Sequence, residues 1–129
     1  LPILCLTSGS VNMRDAAVYV RENNWQQAIE LWKQTYEKKK KGKQKMYAAY
    51  NVALGYEMQD SIQAAEEWAL KAQTLAREKS KTDKKETGEI HDGTISYYIF
   101  ISMYVDELEK RKEGMARLNM QMNRFDDDF

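Results

Sequence analysis

His91 and Asp92, with Ser96 five residues beyond the histidine, are the residue types of a nucleophilic set. Such a set needs a hydroxyl to attack, an imidazole to take its proton and a carboxylate to orient the ring. Their setting argues against it. His91 is the chain's one histidine, Gly93 marks a loop, and no strand-to-helix turn surrounds a serine, so His91 reads as a surface-loop residue. Metal chemistry is no better supplied. One His and one Cys (Cys5) leave carboxylates as donors, and the densest group, Asp126, Asp127 and Asp128, falls in an acidic tail over 126–129. Lys38, Lys39, Lys40, Lys41, Lys43 and Lys45 offer positive charge to phosphate or nucleic acid. They lack interleaved aromatic rings for stacking on bases, and read as a solvated inter-helix loop around Gly42. Met103, Met115, Met120 and Met122 suit either an adaptable binding face or the filling of a helical core. The expectation is no catalytic set, no metal, no cofactor and no enzyme.

The chain of 129 residues is long enough for one domain with a modest core. A single Pro, six Gly and many Ala, Lys, Glu, Gln and Met predict an all-α protein. Twenty basic and twenty acidic side chains cancel, so no global field draws the protein to nucleic acid or to an anionic membrane. The lone cysteine excludes an internal disulfide and leaves the redox compartment open. No apolar run reaches the roughly 18 residues of a membrane span. The opening Leu1-Pro2-Ile3-Leu4-Cys5-Leu6 has neither an initiator Met nor a basic leader, and bulky Leu4 precedes Cys5 where a lipid-attachment box wants a small residue. Residues 1–9 read as the disordered or extended edge of a longer precursor.

Two stretches share one layout. Ala16, Tyr19, Trp25 and Ala28 are matched by Ala53, Tyr56, Ile62 and Ala65, each 37 residues later. A fixed period of this size signals stacked helical hairpins. Ser10 is a candidate cap for a first helix to about Glu22, and Asn23-Asn24 make a turn that Asn tolerates. A second helix from Trp25 to about Lys39 carries Ala28, Ile29, Trp32 and Tyr36 on one face. The third, about Gln44 to Gln59, shows Tyr47, Tyr50, Leu54 and Met58 on one side, with Ala49, Val52, Ala53 and Tyr56 on the other. Asp60-Ser61 turn the chain into a fourth helix from Ile62 to about Lys79, whose Ala65, Ala69, Ala72 and Ala76 permit a close neighbour. The polar stretch from Ser80 to Thr94 reads as a loop with at most an extra turn.

From Thr94 to about Arg124 the spacing predicts one long helix. Tyr97, Ile101, Tyr104, Leu108, Arg111, Met115, Leu118, Met122 and Phe125 alternate steps of four and three, a heptad seam whose phase survives Gly114. Ile95, Tyr98, Ile99 and Val105 give its first half a second apolar face, which predicts cover on both sides.

Residues 14–76 resemble tetratricopeptide repeats. Tyr50-Asn51-Val52-Ala53-Leu54-Gly55-Tyr56 is similar to the first helix of such a repeat and Ile62, Ala65, Ala69 and Ala72 to its second, with Ala16, Tyr19, Trp25, Ala28 and Trp32 matching in the repeat before. Asn23 and Asp60 stand where that family prefers Gly, no Pro closes a repeat, and 37 exceeds its period of about 34, an excess the lysine loop takes up. The resemblance implies an α-α superhelix of two hairpins (about 10–40 and 44–79) closed by a divergent capping helix (about 94–124) within one domain over 10–125. It also implies a concave groove formed by the first helix of each hairpin. Carried over, the groove holds Met13, Ala17, Val20, Arg21, Tyr47, Tyr50, Asn51, Leu54 and Met58. Met13 and Ala17 stand where carboxylate-clamping members place Lys and Asn, so the groove implied is aromatic and apolar, suited to a protein segment or peptide. The whole chain also resembles the C-terminal repeat region of uncharacterised cell-envelope lipoproteins of Bacteroides-type bacteria, through Ala28…Trp32, Ala48-Ala49-Tyr50-Asn51, Glu67-Trp68-Ala69 and Leu118…Gln121-Met122-Asn123-Arg124-Phe125. That implies an envelope or periplasmic location and no reaction.

Two functions remain open. The domain is expected to be a scaffold that binds a peptide in the groove or pairs with itself through Tyr97, Ile101, Tyr104, Leu108, Met115, Leu118 and Met122. Alternatively it is a structural appendage whose last helix already fills the groove. Solvent exposure of Tyr47, Tyr50 and Leu54 separates the two.

Overall fold

The computed structural model describes residues 11–40, 42–87 and 92–127, with backbone alone at 11, 13, 82–87, 92–96 and 125–127. Cys5, His91, Lys41, the edge over 1–9 and the last two tail residues lie outside the described residues, as do the side chains of Met13, Asp92, Ser96, Phe125, Asp126 and Asp127. Five helices follow one another: α1 (Val11–Arg21), α2 (Trp25–Lys38), α3 (Lys43–Met58), α4 (Ile62–Thr87) and α5 (Asp92–Asp127). The fold is all-α, with no strand among the described residues.

The two tight turns share the same pair of closing hydrogen bonds. After α1, the Asn23 N–H donates to the Val20 carbonyl (3.0 Å) and the Asn24 N–H to the Tyr19 carbonyl (2.8 Å). After α3, the Asp60 N–H donates to Glu57 (3.0 Å) and the Ser61 N–H to Tyr56 (2.9 Å). Both are Schellman closures, which need a left-handed residue just past the helix. Asn23 and Asp60 supply it, each at φ 60°. In the first turn the Asn24 side chain also accepts from the Gln27 N–H (3.3 Å) and caps α2.

Each helix packs antiparallel on the next, and the small residues lie where they cross. Ala16, Ala28, Ala53, Ala65, Ala69, Ala72 and Ala76 are all fully buried. Gly55 brings α2 and α3 closest: a Cβ there would lie 2.7 Å from Ile29 Cγ1. Two apolar clusters result. Ala16, Ala28, Ile29, Trp32, Ala48 and Val52 join α1, α2 and α3. Met46, Tyr50, Leu54, Ile62, Ile101, Tyr104 and Leu108, with the α4 alanines, join α3, α4 and α5. Helix α3 belongs to both, and every residue from Ala48 to Gly55 is buried. A helix apolar on all sides is enclosed.

Two boundaries differ from the sequence reading. Helix α4 continues past Lys79 to Thr87, because Lys, Glu and Ser are tolerable helix formers and no Gly or Pro intervenes before Gly88. Polarity alone does not end a helix. Helix α5 starts at Asp92 and runs unbroken through Gly114 to Asp127, about 54 Å at 1.5 Å per residue.

Candidate functional site

Helix α5 runs parallel to α3 and lies along the face expected to line a groove. The Tyr47 hydroxyl donates to that of Tyr97 (2.9 Å), and the rings meet edge-on. The Tyr50 ring meets those of Phe100 and Tyr104, with centroids 6.0 and 5.6 Å away. Tyr50 and Leu54 are consequently 3% and 7% exposed, and Asn51 between them is fully buried. Of the proposed groove set, Arg21 and Met58 face solvent, Tyr47 is half-buried, and the Met13 side chain is not described. The sequence left two arrangements open, a groove for a partner and a groove filled by the last helix. Tyr97, Ile101, Tyr104 and Leu108 are spaced to cover such a face.

Cover on the second apolar face of α5 is partial. Val105 is buried and Tyr98 half-buried against the same core, while Ile99 is 52% exposed and the Ile95 side chain lies outside the described residues.

A polar clamp ends the buried part of the seam. Glu57, in the last turn of α3, accepts the Tyr104 hydroxyl (2.8 Å) and pairs with Arg111. Burial, then the hydrogen bond and charge of Glu57, push the Tyr104 phenol well above its usual range. Arg111, the polar member of the heptad series, thus has a partner on α3. One residue on, Lys112 pairs with Glu66 of α4 (3.0 Å). Further up, Gln73 donates to Ser102 (3.0 Å).

Beyond the clamp the same seam emerges into solvent. Met115, Leu118 and Met122 are 47%, 55% and 57% exposed, beside an exposed Met120. Here α5 passes the α3–α4 turn and borders an open depression of about 620 Å³, walled by Ser61, Ile62 and Ala64 on one side and by Met115, Ala116 and Asn119 on the other. The seven residues expected to form one self-association stripe therefore divide. Tyr97, Ile101, Tyr104 and Leu108 are spent on α3 and α4, and Met115, Leu118 and Met122 remain available.

The lysine loop and the outer aromatics form a separate cluster. Lys45 sits 4.4 Å above the Tyr36 ring and Lys71 4.0 Å above Trp68, while Lys33 donates to the Tyr56 hydroxyl. Tyr36 and Trp68 meet edge-on at 5.0 Å. The rings are occupied by the chain's own cations, which staple α2, α3 and α4 together. Among the described residues, no group of three or more His, Cys, Asp or Glu is placed to hold a metal ion, and no helix is long and apolar enough to cross a membrane.

A family model described as a domain of unknown function, DUF6340, matches residues 14–110. The chain belongs to the DUF6340 family. No curated protein and no solved structure matches it. The DUF6340 match takes in both apolar clusters, from Ala16 to Leu108, and ends beside the Arg111–Glu57 clamp.

Proposed function

We propose that this domain is a non-catalytic structural module of tetratricopeptide type, its groove filled by its own last helix. The burial of Tyr50 and Leu54 beneath α5 is the observation that carries this reading. A peptide bound against α3 would have to displace the Tyr47–Tyr97 and Tyr104–Glu57 hydrogen bonds and re-expose Ile101 and Leu108. Protein contacts are then made on the outside of the module, and the emergent half of α5 is the surface offered. The bacterial cell envelope, implied by the resemblance in sequence, is the location that goes with this proposal.

Hydrogen exchange read by mass spectrometry on the 129-residue chain tests it. Amides over 48–55 and over 97–108 are expected to exchange together, at the rate of global unfolding. If 97–108 exchanges far faster than 48–55, α5 is a detachable lid and the peptide-binding groove is restored.

A further inference from the structure

We infer that the emergent half of α5 is a self-association site, where two copies of this chain pair antiparallel through Met115, Leu118 and Met122. The inference rests on the reading above, in which α5 is fixed over α3 and only its distal half is free.

The first argument is continuity. Tyr97, Ile101, Tyr104 and Leu108 already form an interface in this phase, and the helix passes Gly114 without losing it. Met115, Leu118 and Met122 carry the same seam past the point where α3 and α4 end. A stripe spaced at four and three is made for another helix. An isolated amphipathic overhang leaves it wet.

The second argument is self-complementarity. In an antiparallel pair, a heptad core position of one helix packs on the other type of core position in its partner. Leu118 then faces the partner's Met122, and Met122 the partner's Leu118, so a single contact serves twice, as a two-fold interface requires.

Charge is compatible with that direction. Arg111 and Lys112 are already paired with Glu57 and Glu66, which leaves Lys110 as the cation where the seam emerges, and the sequence puts Asp126 and Asp127 at the end of the helix. Antiparallel pairing brings that acidic end toward Lys110 of the other copy, whereas parallel pairing sets Lys110 beside Lys110. The depression beside Ile62 and Ala116 leaves room for the arriving helix end. Three or four apolar side chains per copy bury less than the roughly 800 Å² per partner of a standard interface, so the dimer is expected at micromolar and higher protein concentration.

Sedimentation equilibrium of the full chain measures the association, and Leu118→Glu is expected to weaken it more than about tenfold. Because Leu118 is 55% exposed, the same substitution should leave thermal unfolding of the monomer unchanged. Register is read by cross-linking in a Cys5→Ser background. A mixture of Leu118→Cys and Met122→Cys chains should form a mixed disulfide, and Met115→Cys alone should form none. A monomer at every accessible concentration overturns the inference. So does a Met115→Cys homodimer, which requires parallel helices. Either result, with 97–108 still exchanging together with 48–55, leaves the module reading standing and removes only the dimer.

Discussion

Tyr47 and Tyr97 share a hydrogen bond of 2.9 Å between their hydroxyls, with ring centroids 5.4 Å apart. The contact joins the early turns of two helices across 50 residues of chain, and it sets their register. Once those turns are level, Tyr50 meets Tyr104 and Glu57 meets Arg111 in the same order along both helices. A parallel ladder of this kind orients α5 along its length and leaves its distal half pointing past the module. The division between a committed and an available half of one helix follows from that ladder.

The division predicts a sharp contrast in stability. Leu108→Ala, at a fully buried site, should cost about 2–5 kcal/mol. Leu118→Ala, ten residues along the same seam, should change the monomer by about 0.5 kcal/mol or less. Urea denaturation at a protein concentration below any self-association checks both. Equal losses would mean that the distal half packs on the module after all.

Glycine to alanine substitutions should have opposite signs at two positions. Both sit inside helices, where Ala is ordinarily better by about 1 kcal/mol. Gly114 has open space around the missing Cβ, so Gly114→Ala should stabilise by up to about that amount. At Gly55 the new methyl would press on Ile29 Cγ1, so Gly55→Ala should destabilise by about 1–3 kcal/mol despite the better propensity. Parallel thermal melts decide it, and a stabilised Gly55→Ala would contradict the close α2–α3 approach.

Much of this was legible in the chain because the repeat speaks through side-chain size. Ala16, Ala28, Ala53 and Ala65 can lie only where helices cross, and Asn23 and Asp60 sit where a left-handed residue is needed. The α4 extension was hidden because Lys, Glu and Thr over 80–87 carry no apolar stripe, although they hold a helix well enough. The fate of the groove was hidden for a different reason. Tyr47, Tyr50 and Leu54 look the same whether they await a peptide or pack on Tyr97 and Tyr104, since both partners are apolar and aromatic. Periodicity reports that a face is covered, not by what. Arg111 illustrates the converse: a polar break in the seam in sequence, it is explained only once Glu57 lies beside it.

The duplicated turns predict another asymmetry. Asp60 sits at φ 60°, a strained conformation for any side chain, so Asp60→Gly should stabilise by about 0.5–1 kcal/mol. Asn23 has the same angle, but its side chain accepts a hydrogen bond from the Trp25 indole (2.9 Å). Asn23→Gly removes that bond as it relieves the backbone, so its gain should be smaller than that of Asp60→Gly. Chemical denaturation of the two variants ranks them, and the reverse order would mean that the indole contact contributes nothing.

Tyr104 makes the fold sensitive to alkali. Its phenol is held above the usual 10.0, first by burial and then by Glu57, whose carboxylate accepts its proton and would repel a phenolate. The raised value fixes the sign. Below pH 10 the phenol is neutral in both states, and its contribution to stability is complete. Above pH 10 the unfolded chain releases the proton while the folded one retains it, so each further pH unit removes up to about 1.4 kcal/mol until the folded phenol itself ionises. Other tyrosines titrate in the same window, so the measurement is a difference. Denaturant unfolding of the parent chain and of Tyr104→Phe, from pH 8 to pH 11, isolates the one group. The variant should begin less stable, having lost the hydrogen bond to Glu57, and the gap should narrow as the pH passes 10. A gap that stays constant to pH 11 would mean that Tyr104 ionises as readily in the folded chain as in the unfolded one, and that α5 does not seal it against α3.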